Sequence, residues 1–304
     1  MAKRAFIFPG QGAQYVGMAK EFYEQMPVCK EVFEIASEAS KLDIAALCFE
    51  ENEKINITEY TQICMLTAEA AILKALEDAG LRPDVTAGLS LGEYGALIAA
   101  GVLDMQDAFR LVRARGIYMQ EAVPVGGAMT AVLGLDAAAI EAACEATEGV
   151  VSIANYNCPG QIVITGEAAA VAAAADRCKE AGAKRCVPLN VSGPFHSKML
   201  TGAGEKLGKH LEGVTIRDYT IPYVANVTAE YVTDKDMVKD LLIRQVSSSV
   251  RWQQSVERMI ADGVDEFVEI GPGRTLTGFM KKINRDVAVS NIDKMEDFET
   301  YVGR

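Results

Sequence analysis

The chain has 304 residues, half of them apolar and 24% charged, with a formal net charge of −12. That length predicts two packed units, or one core carrying an insertion, and the composition excludes disorder. The negative charge and the lack of long Lys/Arg runs exclude nucleic acid as a partner. No apolar stretch approaches the ~20 residues of a membrane span, so no membrane association is expected.

Seven cysteines without Cys-x-x-Cys pairing or metal-ligand spacing read as reduced thiols. The apolar Ala5–Phe8 stretch after Lys3 and Arg4 breaks at Pro9-Gly10, too short for a secretory signal. A cytoplasmic protein is the expectation.

Arg4 to Phe8 predicts a first strand, closed by the Pro9-Gly10-Gln11-Gly12 turn and followed by helical pattern from about Met18. Residues 61–79 read as a helix ended by Gly80; Pro83 leads into a short strand, Val85 to Gly88, and a helix from Leu91 to Ala100 stopped by Gly101. A helix from about Met105 to Glu121 carries Arg110, Arg113 and Arg115 before Pro124 and Gly126-Gly127 break it.

The pattern then changes. Apolar Ala128 to Leu135 precedes a helix from Asp136 to Thr147, strands at 150–156 and 161–165, an Ala-rich helix from about Glu167 to Ala181, and a strand from Lys184 to Val191. This β-α-β-β-α-β order predicts a ferredoxin-like insert over residues 126–194, a unit whose first and last strands lie close together. Helical pattern returns at 197–212, 235–246 and 252–262, strands at 221–225 and 265–270, and Gly271-Pro272-Gly273 opens a final helix to about Asn284. Alternating strands and helices imply a mainly parallel sheet. The expected fold is α/β: a discontinuous α/β-hydrolase-like larger domain, residues 1–125 and 195–304, interrupted by the ferredoxin-like subdomain.

Gly88-Leu89-Ser90-Leu91-Gly92 fits Gly-x-Ser-x-Gly, in which a serine is thrust out of a strained turn between strand and helix. Composition alone predicts about 0.08 chance matches, so the motif is selective without being decisive, and a glycine-rich turn with an incidental serine would look the same. A serine hydroxyl needs a base, and histidine is the usual one near neutral pH. Of the two histidines, His210 lies within a helix and reads as a solvated side chain, whereas His196 sits at a strand end at the domain junction, where open α/β sheets place their sites. Acyl transfer also needs oxyanion donors. The backbone N–H of Leu91 supplies one, and the glycine-flanked loop Phe8-Pro9-Gly10-Gln11-Gly12 can bring a second.

Phe8-Pro9-Gly10-Gln11-Gly12, Gly88 to Glu93, Arg115, Gly193-Pro194-Phe195-His196-Ser197, Arg244-Gln245 and Glu269 to Gly273 occur in one order across essentially the whole chain. That series resembles the malonyl-CoA:acyl carrier protein transacylase family. The resemblance implies a ping-pong route in which Ser90 takes malonyl from coenzyme A, His196 serves as base and then acid, and a carrier-protein phosphopantetheine thiol accepts the group. It implies an oxyanion hole from the Gln11 and Leu91 amides, and a main-chain carbonyl near Gln245 in place of a triad carboxylate. It further implies that Arg115 holds the malonyl carboxylate and that Phe195 crowds an α-methyl branch, so Arg115, Phe195 and Gln245 are the expected substrate-side residues. Metal and cofactor are not called for; coenzyme A thioesters and acyl carrier protein are the expected partners, and the chain is expected to be a monomer. Two positions depart from the family pattern: Leu89 stands where many relatives carry His, and Gly95 where they carry Ser.

Two other readings share the elbow. A serine hydrolase would use water as acceptor, but in typical α/β-hydrolases the histidine comes late, and here about a third of the chain follows His196. A non-catalytic carrier-binding protein would not need both Ser90 and His196. An acidic carrier would dock on local basic clusters, Lys184 with Arg185, and Arg274, Lys281, Lys282 and Arg285.

Overall fold

The computed structural model of the chain describes residues 3–191 and 193–303. Residues 1, 2 and 304, at the ends of the expected larger domain, and Ser192 of the expected insert lie outside the described residues. The strands are β1 (Lys3–Phe8), β2 (Val85–Gly88), β3 (Gly127–Leu133), β4 (Val151–Cys158), β5 (Gln161–Glu167), β6 (Arg185–Pro188), β7 (Tyr223–Val224), β8 (Val264–Ile270) and β9 (Ala288–Ile292). The helices are α1 (Lys20–Gln25), α2 (Pro27–Ser40), α3 (Ile44–Phe49), α4 (Thr58–Asp78), α5 (Gly92–Ala99), α6 (Met105–Ala122), α7 (Ala137–Glu145), α8 (Ala168–Glu180), α9 (Thr201–Glu212), α10 (Val238–Gln245), α11 (Trp252–Ala261), α12 (Thr275–Ile283) and α13 (Met295–Val302).

Two sheets result. The first is parallel throughout, in the order β7-β2-β1-β8-β9. Its central strand β1 is buried on both faces, as a parallel strand between helical layers must be. Ala5 and Ile7 pack with Trp252, Met259 and Leu276 of α11 and α12, while Phe6 and Phe8 turn to the opposite layer containing α2, α4 and α6.

The second sheet is antiparallel in the order β4-β5-β3-β6. With α7 and α8 it has the β-α-β-β-α-β order of the ferredoxin-like fold read from the sequence. Strand alternation divides its residues: Val132, Ile153 and Ile164 pack under α7 and α8, whereas Met129, Ala131 and Val163 face the larger core. The edge of β4 is covered by residues 249 and 250, with Val250 N donating to Ala154 O at 2.7 Å and Tyr156 N to Val250 O at 2.9 Å.

Several elements differ from the sequence expectation. The helical pattern after Met18 is three helices, because Pro27 cannot continue α1 and instead occupies the first turn of α2, where its missing N–H costs nothing. The strand expected to reach Val191 pairs only over Arg185–Pro188, and the one expected at 221–225 is two residues long. β9 and α13 were not anticipated.

Helix α4 is buried around most of its circumference, and α6 lies close against it. A Cβ at Gly116 would stand 2.9 Å from Glu59 Cα, so glycine sets how near the two backbones come. Gly116→Val is expected to overpack this contact and cost about 1–3 kcal/mol. A lowered urea midpoint at unchanged slope would show it; an unchanged midpoint would mean that α6 has room to spare.

Candidate active site

Ser90 sits between β2 and α5 with φ of 54°, in the left-handed region that non-glycine residues seldom enter. The two motif glycines make this possible. A Cβ on Gly88 would stand 1.9 Å from Gly92 C, and one on Gly92 2.1 Å from Phe8 O. The turn is therefore pressed against itself and against the end of β1, which brings the Pro9–Gly12 loop beside Leu91.

Long-range bonds hold the strained turn. Ser90 N donates to Asn226 Oδ1 at 2.7 Å, Asn226 Nδ2 donates to Gly88 O at 2.6 Å, and Gln245 Nε2 donates to Ser90 O at 2.8 Å. Asn226 follows β7, at the same end of the sheet. Sequence reasoning missed it, although a polar residue directly after a buried strand in an open sheet is a usable signal.

His196, also left-handed at φ 59° and 4% exposed, places Nε2 2.7 Å from Ser90 Oγ. Its Nδ1 lies 2.8 Å from Gln245 O. A carbonyl only accepts, so Nδ1 carries the hydrogen and Nε2 presents a lone pair to the hydroxyl. Gln245 ends α10, where the last carbonyls have no partner within the helix and carry the negative end of its dipole. Burial, and then the charge of Arg115, push the imidazole down to about 4. His210 is remote from this group; its Nε2 lies 2.6 Å from Tyr118 OH at the surface.

Arg115 is 1% exposed and converges on the same point. Nη1 donates to Gln62 Oε1 at 2.7 Å, and Nη2 to Ser90 Oγ and to Gln245 Oε1, each at 3.1 Å. Its Nε makes no hydrogen bond, no carboxylate touches the guanidinium among the described residues, and burial holds its pKa below the ordinary value. Such a cation is costly to keep out of water, and it is a ready partner for a planar anion. Gln62, a further residue that the sequence did not single out, orients it from α4.

Ser90, His196 and Gln62 open on a cavity of about 220 Å³ between the two sheets, lined among others by Gln11, Leu91, Met119, Met129 and Phe195. The N–H groups of Gln11 and Leu91 donate to no acceptor among the described residues. Both family departures have a visible setting. Leu89 lines the cavity and covers Gly10. Gly95 has no space for a side chain, since a Cβ would stand 2.8 Å from the Phe8 ring and 3.0 Å from Glu69 Oε2. A larger groove, about 570 Å³, runs beside α2 and α4 and contains none of these residues. Among the described residues no cluster of His, Cys, Asp or Glu is placed to hold a metal ion.

A half-buried serine against a buried imidazole, with two unpaired amides beside it, has the groups that acyl transfer through a serine ester requires. The chain belongs to the acyl transferase family, whose domain it matches over residues 5–299. More narrowly, it is 47% identical to the malonyl CoA-acyl carrier protein transacylase of Bacillus subtilis, over 97% of this chain and 96% of that protein. The transacylase of that name from Clostridium perfringens superposes with a TM-score of 0.96 at 43% identity, covering 99% of this chain and 96% of that one. A malonyl-transacylase solved with its type II PKS acyl-carrier protein superposes equally well, TM-score 0.96, at 40% identity and 99% coverage of each chain.

The environment of His196 is testable directly. Followed by NMR, its ring is expected to stay neutral from pH 8 down to about pH 5 and to take its proton only as the pH approaches 4. Titration near 6.5, the value of a solvated imidazole, would mean that the ring is not sealed from water.

Proposed function

We propose that the chain transfers a malonyl group from malonyl-CoA to the phosphopantetheine thiol of an acyl carrier protein, through a malonyl ester on Ser90. The buried Arg115 guanidinium, 3.1 Å from Ser90 Oγ and without a carboxylate partner, carries the substrate half of this reading. A bidentate contact to the malonyl carboxylate would supply that partner.

Ser90 Oγ attacks the thioester carbonyl while His196 Nε2 takes the hydroxyl proton. The developing oxyanion is received by the N–H groups of Gln11 and Leu91. The imidazolium returns its proton to the departing coenzyme A sulfur. In the second half the carrier thiol gives its proton to the same nitrogen, its sulfur attacks the ester carbonyl, and the proton goes back to Ser90 Oγ. Because His196 is kept neutral, it is ready to accept at the start of each half. The ring of Phe195 lines the pocket and crowds an α-branched acyl group.

The basic clusters support a carrier dock. Lys184 packs against Gly134, Gly134 N donates to Gly160 O at 2.8 Å, and Lys282 Nζ reaches Gln161 Oε1 at 3.1 Å. Lys184 and Lys282 therefore stand near the same pair of turns, so that the cluster of Lys184 with Arg185 and the cluster on α12 can form a local positive surface on an acidic protein.

Intact mass after mixing with malonyl-CoA is expected to show a malonyl adduct that moves to holo carrier protein on its addition, and no adduct in Ser90→Ala. An adduct in that variant would remove Ser90 as nucleophile, and rapid release to water without transfer would mark a hydrolase. Arg115→Ala is expected to lower kcat/KM for malonyl-CoA on the order of 10²-fold or more while acetyl-CoA changes little, since only malonyl leaves a desolvated carboxylate unpaired. Arg115→Lys should recover part of the loss, keeping charge without the planar fork. Equal losses for both thioesters would make Arg115 structural.

A further inference from the structure

Behind the reacting atoms lies a carboxylate that the mechanism above does not use. Glu93, in the first turn of α5, is 1% exposed. Its Oε2 accepts from Gln245 Nε2 at 2.6 Å and from Asn226 N at 3.3 Å, and its Oε1 makes no hydrogen bond. One carboxamide thus joins Glu93 to Arg115: Gln245 turns Nε2 to the carboxylate and Oε1 to the guanidinium. The opposite flip would set oxygen against oxygen and N–H against N–H. The same residue supplies the backbone carbonyl that orients His196.

We propose that Glu93 is a positioning and specificity-determining residue. Its carboxylate fixes the Gln245 carboxamide and supplies the negative charge facing Arg115 in the free enzyme. It takes up one proton from solvent when a substrate carboxylate binds that guanidinium.

The inference rests on the malonyl reading and adds a charge balance to it. Arg115 and ionised Glu93 together are neutral in the free site. An arriving malonyl carboxylate would leave one uncompensated negative charge in a buried volume, which is costly. Protonating Glu93 restores neutrality, with the proton coming from solvent or buffer and no other bond changing. Oε2 still accepts from Gln245 after protonation. Acetyl brings no charge and asks for no proton.

The groups facing Glu93 permit this. Burial raises its carboxyl, while the bonds from Gln245 and Asn226 and the charge of Arg115 pull it back, leaving it at about 7. Around it stand Arg115 from α6, Tyr94 on α5 and Tyr223 from β7, the two phenols pushed up by burial and so neutral. Gln245 and Asn226 do not titrate, and His196, held near 4, stays neutral.

Binding affinity for malonyl should therefore be flat below about pH 7 and weaken as the pH rises above it, by at most about tenfold per unit. The experiment is calorimetric titration of Ser90→Ala protein at pH 8, in two buffers of different ionisation enthalpy, with malonyl-CoA and with acetyl-CoA. The expected uptake is close to one proton for malonyl and none for acetyl, contributions from coenzyme A being common to both. In Ser90→Ala/Glu93→Gln protein the malonyl uptake should vanish and its affinity become independent of pH from 6.5 to 8.5. Equal uptake for both thioesters would overturn the proposal, as would malonyl uptake that survives Glu93→Gln. If the double variant does not fold, the malonyl–acetyl difference in Ser90→Ala protein decides alone. The malonyl reading itself stands or falls on the Ser90 adduct, which depends on no proton count.

Discussion

A guanidinium held out of water with no carboxylate against it constrains everything near Ser90. Desolvating Arg115 is unfavourable, and the chain offsets part of that cost with neutral oxygens, from Gln62, Gln245 and Ser90 itself. Burial first, and then the same charge, disfavour a proton on His196 and so keep the ring neutral. It also accounts for the carbonyl at Nδ1. A carboxylate there would be a counter-ion for Arg115 and a competitor of any anionic substrate, whereas the end of α10 orients the ring and contributes only a partial charge.

The second constraint is contact distance. The elbow closes because Gly88 and Gly92 leave no atom where a Cβ would collide, and because β1 ends against the start of α5. Ser90 and His196 each occupy a backbone conformation that costs roughly 1–3 kcal/mol for a non-glycine residue. Such strain persists where surroundings over-determine it; here Asn226, Gln245 and Phe8 do so from three separate parts of the chain.

Sequence reading reached what is local or periodic. The alternating strands and helices, the β-α-β-β-α-β order and the elbow each carry their information within a few residues. Arg115 on pattern alone is a surface helix arginine. It is buried because Gly116, the next residue, lets α6 close on α4, and no periodicity reveals a partner helix. Gln62 and Asn226 escaped notice, and Glu93 was read only as the end of the elbow motif, for a related reason: each acts through a residue dozens of positions away or more. β9 is short and largely half-exposed, so its hydrophobic signal is weak.

The strip that covers the edge of β4 immediately follows the residue that orients His196. Val250 bonds on both sides to β4, and Ser249 Oγ donates to Ile153 O at 2.6 Å, only a few residues beyond Gln245. The antiparallel sheet is thus stitched to the parallel one at a point unrelated to its own chain connections. For protein engineering this makes the sheet a poor cassette: a chimaera that exchanged β3 to β6 for those of a relative would inherit a foreign edge against a native strip. The unit to transplant is the sheet together with residues 247–250, so that the altered cleft arrives with its own seam.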